Sequence, residues 1–157
     1  MKCSKLGVFV FVLLASLGSS CSTTKSHEAQ WESAETSSVS QHVLNEVVKL
    51  ALVKSDFPVL GSGFDPVTRT MTSGWRTDLI PMTGRRTRGF RERAWVQYSA
   101  AEIGKLKLEV RVEREVNKNL ARPLDPQYAD WESGPDSIER AKFLLQLIKV
   151  SLRPGPK

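Results

Sequence analysis

The sequence predicts an α+β domain: a helix, a three-stranded antiparallel meander, and a C-terminal helix packed on one sheet face. Three observations carry this. Residues 39–54 and 136–152 place apolar side chains at helical spacing. Residues 105–117 alternate apolar and charged side chains with a period of two. Residues 90–101 alternate in the same way and are joined to them by Glu102-Ile103-Gly104, a loop length typical of hairpins.

The elements follow in order. Ser38 and Gln41, three apart, form a capping box that starts the first helix. Val39, Val43, Val47, Leu50 and Ala51 would then make its buried stripe, and Phe57-Pro58 with Gly61-Ser62-Gly63 would end it in a turn. Residues 67–80 form the weakest strand, the antiparallel neighbour of the strand beginning at Phe90. In the hairpin, a type I turn followed by a left-handed residue puts Gly104 in the third loop position and sets Ala101 opposite Lys105. Counting back from there pairs Tyr98 with Leu108, Val96 with Val110, Ala94 with Val112 and Phe90 with Val116 on the core face. On the outer face it pairs Arg93 with Glu113 and Arg91 with Glu115, and sets Trp95 beside Arg111. Glu92 and Arg114 fall on the core parity, where each needs the other, because an unpaired buried charge costs several kcal/mol. After an irregular stretch, in which Tyr128 and Trp131 are expected to close the end of the core, Asp136 and Glu139 suit the first turn of the last helix. Its apolar face, Ile138 to Leu152, is wide enough to need extensive cover.

The 157 residues carry 23 Lys and Arg against 17 Asp and Glu, a net charge of +6, with 40% hydrophobic residues. That is globular composition and excludes a wholly disordered, collagenous or polytopic membrane chain. Two cysteines are too few for a disulfide scaffold or a four-thiolate zinc site.

The N-terminus is a different kind of segment. Lys2 and Lys5 precede Leu6 to Leu17, twelve uncharged and mostly apolar residues. This is too short to span a membrane but suits a secretory signal. It ends in Leu17-Gly18-Ser19-Ser20-Cys21, which resembles the lipobox of bacterial lipoproteins, although Gly18 stands where a leucine is commoner. The resemblance covers residues 1–21 only. It implies that Cys21 is acylated with more than one chain and becomes the first residue of the mature protein. The rival is ordinary cleavage after Ser20, which leaves Cys21 as a free thiol. With Cys21 first, Lys2 and Lys5 are lost and the charge falls to +4. The organisation is then a signal peptide at 1–20, a lipid-anchored flexible tether at 21–38, a single domain at 39–153 and a tail at 154–157. Eight of residues 22–38 are Ser or Thr, which is linker composition. Ser22 after the cysteine leans toward the outer membrane, with the domain facing the periplasm.

Candidate chemistry is sparse. His42 is the single histidine outside the tether, and Gly-x-Ser-x-Gly, paired-histidine and Walker sequences are absent. The sequence calls for no cofactor, no metal and no catalytic residue. Its sharpest feature is Gly84-Arg85-Arg86-Thr87-Arg88-Gly89, in which Arg85, Arg86 and Arg88 lack acidic neighbours. Three guanidiniums on a loop between strands would suit phosphate or carboxylate. Behind a secretion signal the available anions are lipid or glycolipid phosphates, peptidoglycan carboxylates and acidic protein surfaces, not nucleic acid. The expected function is therefore a membrane-anchored envelope lipoprotein that binds or scaffolds. The alternative is a secreted or lipid-anchored enzyme with an unrecognised active site.

Overall fold

A computed structural model describes residues 27–85 and 87–153. The signal segment, Cys21 and Arg86 lie outside the described residues, as does the tail from residue 154. Seven strands and two helices are present: β1 (Glu32–Ser37), α1 (Gln41–Lys54), β2 (Val59–Asp65), β3 (Thr70–Ser73), β4 (Arg76–Pro81), β5 (Thr87–Ala100), β6 (Lys105–Asn117), β7 (Trp131–Ser133) and α2 (Ile138–Ser151).

The expected α+β arrangement around a three-stranded meander does not hold. The chain is mostly β, a seven-stranded antiparallel sheet in the order β1-β6-β5-β3-β2, with β4 also on β5 and β7 also on β6. The long hairpin β5–β6 is its axis. Each free edge of that hairpin is shared by two short strands. β3 and β4 divide the edge of β5, and β1 and β7 divide the edge of β6.

Hairpin register follows the turn. Gly104 has φ +75, the left-handed conformation that the third loop position requires. From there Ala100 pairs with Leu106, and the ladder runs without slip to Phe90 and Val116. Ala94, Val96 and Tyr98 of β5 and Leu108, Val110 and Val112 of β6 form the floor of the core. The divided edges leave no gap in hydrogen bonding where one short strand gives way to the next. Ser73 Oγ accepts from the Ala94 N–H at 2.8 Å on one side. The Ser137 and Gly134 N–H groups donate to the Val112 and Arg114 carbonyls on the other.

Both helices lie on one sheet face. α1 buries Leu44, Val48, Ala51 and Leu52, and α2 buries Ala141, Leu144, Leu145 and Ile148. The expected stripe of α1 is displaced, since Val43 and Leu50 are exposed. Its cap is Ser40, whose hydroxyl accepts from the Val43 N–H, rather than Ser38. On α2, Phe143 and Val150 are also exposed, so the wide apolar face is only partly covered.

Three further expectations are corrected. Residues 32–37 are not tether but β1, paired to β6 from Glu32↔Val110 to Ser37↔Lys105. Gly61-Ser62-Gly63 lies in β2, an edge strand whose register with β3 shifts between Val59 and Phe64, rather than in a simple turn. Residues 67–80 are two strands broken at Gly74-Trp75, because the Gly74 N–H turns aside to the Pro58 carbonyl at 2.7 Å.

Candidate binding face of the sheet

The helices cover one side of the sheet, and pleating sends every second side chain of β5 and β6 to the other. There Arg91, Arg93, Trp95 and Gln97 face Glu115, Glu113, Arg111 and Glu109 in turn. Arg91 and Arg93 each meet their glutamate at 2.6 Å. Gln97 Nε2 donates to Glu109 at 3.2 Å. Arg111 makes its pair away from β5. It donates to Asp136 through Nε at 2.6 Å and Nη2 at 3.2 Å, and Asp136 also accepts from the Gln30 N–H at 2.8 Å. The bidentate contact to Asp136 raises the Arg111 pKa, so this cation is fixed. Burial pushes the Glu113 carboxyl up, but hydrogen bonds from Arg93 and Trp95, with the charges of Arg93 and Arg111, leave it below its ordinary value.

All four tryptophans of the chain belong to this side. Trp95 stands on β5, Trp75 at the break between β3 and β4, Trp131 in β7, and Trp31 one residue before β1. They interleave with the arginines. The Arg91 guanidinium lies 4.4 Å from the Trp75 ring and 4.7 Å from that of Trp131. The Arg93 guanidinium lies 4.6 Å from Trp75 and 4.7 Å from Trp95. The ladder thus runs Trp131, Arg91, Trp75, Arg93, Trp95. Cation–π contacts of this kind contribute about 0.5–1 kcal/mol each at partly exposed sites.

The two ends of the face differ. At the Gly89 end the 118–130 loop folds over it. Buried Asn117 holds that loop, donating to the Pro123 carbonyl at 3.0 Å and accepting from the Asn119 and Asp130 N–H groups. At the Trp95 end the face stays open, around a pocket of about 490 Å³ lined by Trp31, Asp65, Thr68, Thr70, Thr72, Trp95, Gln97 and Arg111. Asp65 accepts from Thr68 Oγ1 at 2.7 Å and the Val67 N–H at 2.9 Å. These bonds lower its pKa and keep it an acceptor.

On the core side, Glu92 is fully buried and gathers three cations. Arg114 donates to it at 2.6 Å, Arg140 approaches at 3.2 Å and Arg76 at 3.9 Å. The Glu92–Arg114 pair was legible in the sequence; Arg76 and Arg140 were not, because they come from β4 and α2.

Of the three arginines expected on a loop tip, Arg88 is placed differently. Arg88 lies within β5 opposite Ile80, half-buried, and its Nε is buried without a hydrogen-bond partner. Arg85 ends a single 3-10 turn at Thr83–Arg85. Among the described residues, no group of three His, Cys, Asp or Glu side chains is placed to hold a metal ion, and His42 is exposed on α1. No helix among them is long and apolar enough to cross a membrane. The sequence reading missed the convergence of Trp31, Trp75 and Trp131. One local signal was present: Trp31 shares the outer parity of Ser33 and Glu35 along β1.

No protein-family model matches the chain, and no curated protein matches its sequence.

Proposed function

We propose that the chain is a lipid-anchored protein of the bacterial cell envelope that works by binding through the open face of its sheet. One observation carries this reading. The two helices seal one face, while the other gathers all four tryptophans beside an open pocket of about 490 Å³. A domain concerned only with its own stability places its largest apolar side chains under cover. The charged groups of the open face are held in ion pairs with each other, which leaves its aromatic and uncharged polar groups to meet a ligand. The anchor rests on the lipobox-like ending at Cys21. Nine residues lie between that cysteine and Trp31 on the pocket's own rim, a reach of at most about 35 Å. The pocket would therefore work close to the membrane that carries it. Arg85, at the β4–β5 turn, and Arg86, next to it in sequence, are proposed as a secondary contact to lipid or glycolipid phosphate, peptidoglycan carboxylate or an acidic protein surface.

The test has two arms. In cells, Cys21→Ser moves the protein from the membrane to the soluble fraction; unchanged membrane association would refute the anchor. The soluble Cys21→Ser protein is then sedimented with isolated envelope fractions. It should cosediment, Thr72→Trp, which fills the pocket, should abolish this, and Glu46→Trp on the helix layer should not. Equal binding by both tryptophan variants would refute the open face as the site.

A further inference from the structure

We infer that the pocket at the Trp95 end of the sheet is a carbohydrate subsite that takes an uncharged stretch of a glycan chain. This rests on the reading of the open face as a binding surface and names its ligand class.

Charge excludes the first rival. The pocket holds one cation and one anion: the cation is already matched, and the anion repels a second. Arg111 is clamped bidentately by Asp136. Asp65 is engaged by Thr68 and the Val67 N–H. An anion entering here would have to share Arg111 with Asp136, which itself ties the chain before β1 to the start of α2 through the Gln30 N–H, and would face the Asp65 carboxylate. The neighbouring guanidiniums of Arg91 and Arg93 are likewise matched by Glu115 and Glu113. The site therefore offers an anion no unmatched cation.

The remaining chemistry suits a sugar. Trp31 and Trp95 supply flat apolar walls for the C–H faces of pyranose rings. On the side of Trp95 away from Trp31, β3 sets Thr72 beside Trp95 and Thr70 beside Gln97; the Thr72 hydroxyl and the Gln97 amide can both donate and accept, while the Thr68 and Thr70 hydroxyls, already donating to Asp65 and the Thr68 carbonyl, and the Asp65 carboxylate accept. A ligand that is apolar on its ring faces and hydroxylated around its rim meets both demands; a lipid tail would offer no hydrogen bond to the Thr72 hydroxyl, the Gln97 amide or the remaining acceptor sites of Asp65. These groups come from strands and the turn beside them, not from one long loop, so their spacing is set by the sheet. The volume lies within the ~300–1,000 Å³ of ordinary ligand pockets.

The experiment follows the four tryptophan indole N–H signals of the soluble, ¹⁵N-labelled Cys21→Ser protein by NMR. Probes are neutral tetrasaccharides of gluco, N-acetylgluco, galacto and manno configuration, a tetragalacturonate as the acidic counterpart, and inorganic phosphate. At least one neutral tetrasaccharide should shift the Trp31 and Trp95 signals saturably, with a Kd below ~1 mM, and leave Trp131 in place. Thr72→Ala and Gln97→Ala should each weaken binding about fivefold, the equivalent of one hydrogen bond, and Trp31→Ala by more. A response to tetragalacturonate or phosphate alone would overturn the inference while leaving the open-face reading intact. No response to any probe, with envelope cosedimentation retained, would overturn it as well. Loss of cosedimentation in addition would overturn both.

Discussion

Glu92 offers the most demanding test of how the fold is held. Its carboxylate is 0% exposed and sits on the core-facing side of β5. Oε1 accepts from Arg114 Nη2 at 2.6 Å and Nε at 2.9 Å. Oε2 faces Arg140 Nε at 3.2 Å and Arg76 Nη1 at 3.9 Å. In Glu92→Ala the three guanidiniums lose their shared anion, but not equally. Arg140 has a side chain 37% exposed and can turn to water. Arg76 keeps Asp78 at 2.8 Å. Arg114 keeps only neutral partners near Glu92, the Ser137 hydroxyl at 3.1 Å and the Phe90 ring 5.1 Å from its guanidinium. Stranding one partner of a buried pair costs about 3–5 kcal/mol, a large share of the ~5–15 kcal/mol that holds a domain. With a urea m-value of ~1.5–2 kcal/mol/M, the midpoint should fall by roughly 2 M. Arg140→Ala should cost under about 1 kcal/mol, because its pair is half in solvent. Glu92→Gln keeps the shape and one acceptor but not the charge, and should fall between. The assay is urea unfolding followed by tryptophan fluorescence. If Glu92→Ala does not fold, the order of Glu92→Gln and Arg140→Ala still decides. A Glu92→Gln protein as stable as Arg140→Ala, or a Glu92→Ala midpoint within about 0.5 M of wild type, would refute the buried three-cation site.

Two other perturbations probe the open face. A Cβ on Gly89 would fall 1.8 Å from the Pro123 carbonyl oxygen, so Gly89→Ala must push the 118–130 loop off the sheet; the expected loss exceeds about 2 kcal/mol, and hydrogen exchange should quicken at the Asn119 and Asp130 amides more than in α2. The Glu113 carboxyl has a folded-state pKa below its ordinary value of 4.5, so its contribution to stability is present above that pH and is lost as pH falls below it; Glu113→Gln should therefore flatten the acid side of the stability profile, and an unchanged profile would contradict the Arg93–Glu113–Trp95 contacts.

The parts legible in the sequence are the ones whose signals are local and agree. Gly104, the alternation on either side of it, and the facing charges of Arg91, Arg93, Glu113 and Glu115 all select one register, and that register is present. Edge strands lack such agreement. β1 has Ala34 as its one apolar residue, and β2 contains two glycines, so each resembles a linker until a partner strand is supplied. α1 fails for another reason. Val43, Val47 and Leu50 make one apolar stripe and Leu44, Val48 and Leu52 another, about one residue's rotation away. Only the sheet beneath decides which is buried. The candidate site was hidden by distance along the chain, since Trp31, Trp75, Trp95 and Trp131 are separated by 20 or more residues and meet only when the sheet forms.

The arginines carry a further lesson about what marks a binding surface here. The basic excess drew attention to arginine, yet on both faces of the β5–β6 hairpin arginine is used inwardly. Arg114, Arg140 and Arg76 surround one buried carboxylate. Arg91 and Arg93 lie between indole rings, each with its own glutamate. Such guanidiniums have little attraction left for a ligand. The tryptophans differ. None of the four is fully buried, whereas the core beneath the helices is built mostly of Leu, Val, Ile and Ala. A fully buried aromatic side chain removes about 150–250 Å² from water, and at roughly 25 cal/mol per Å² that is several kcal/mol each. Partly exposed tryptophans forgo part of this gain. The stabilisation absent from the free protein is available to whatever covers Trp31 and Trp95, so exposed aromatic surface, more than net charge, points to where this molecule meets its ligand.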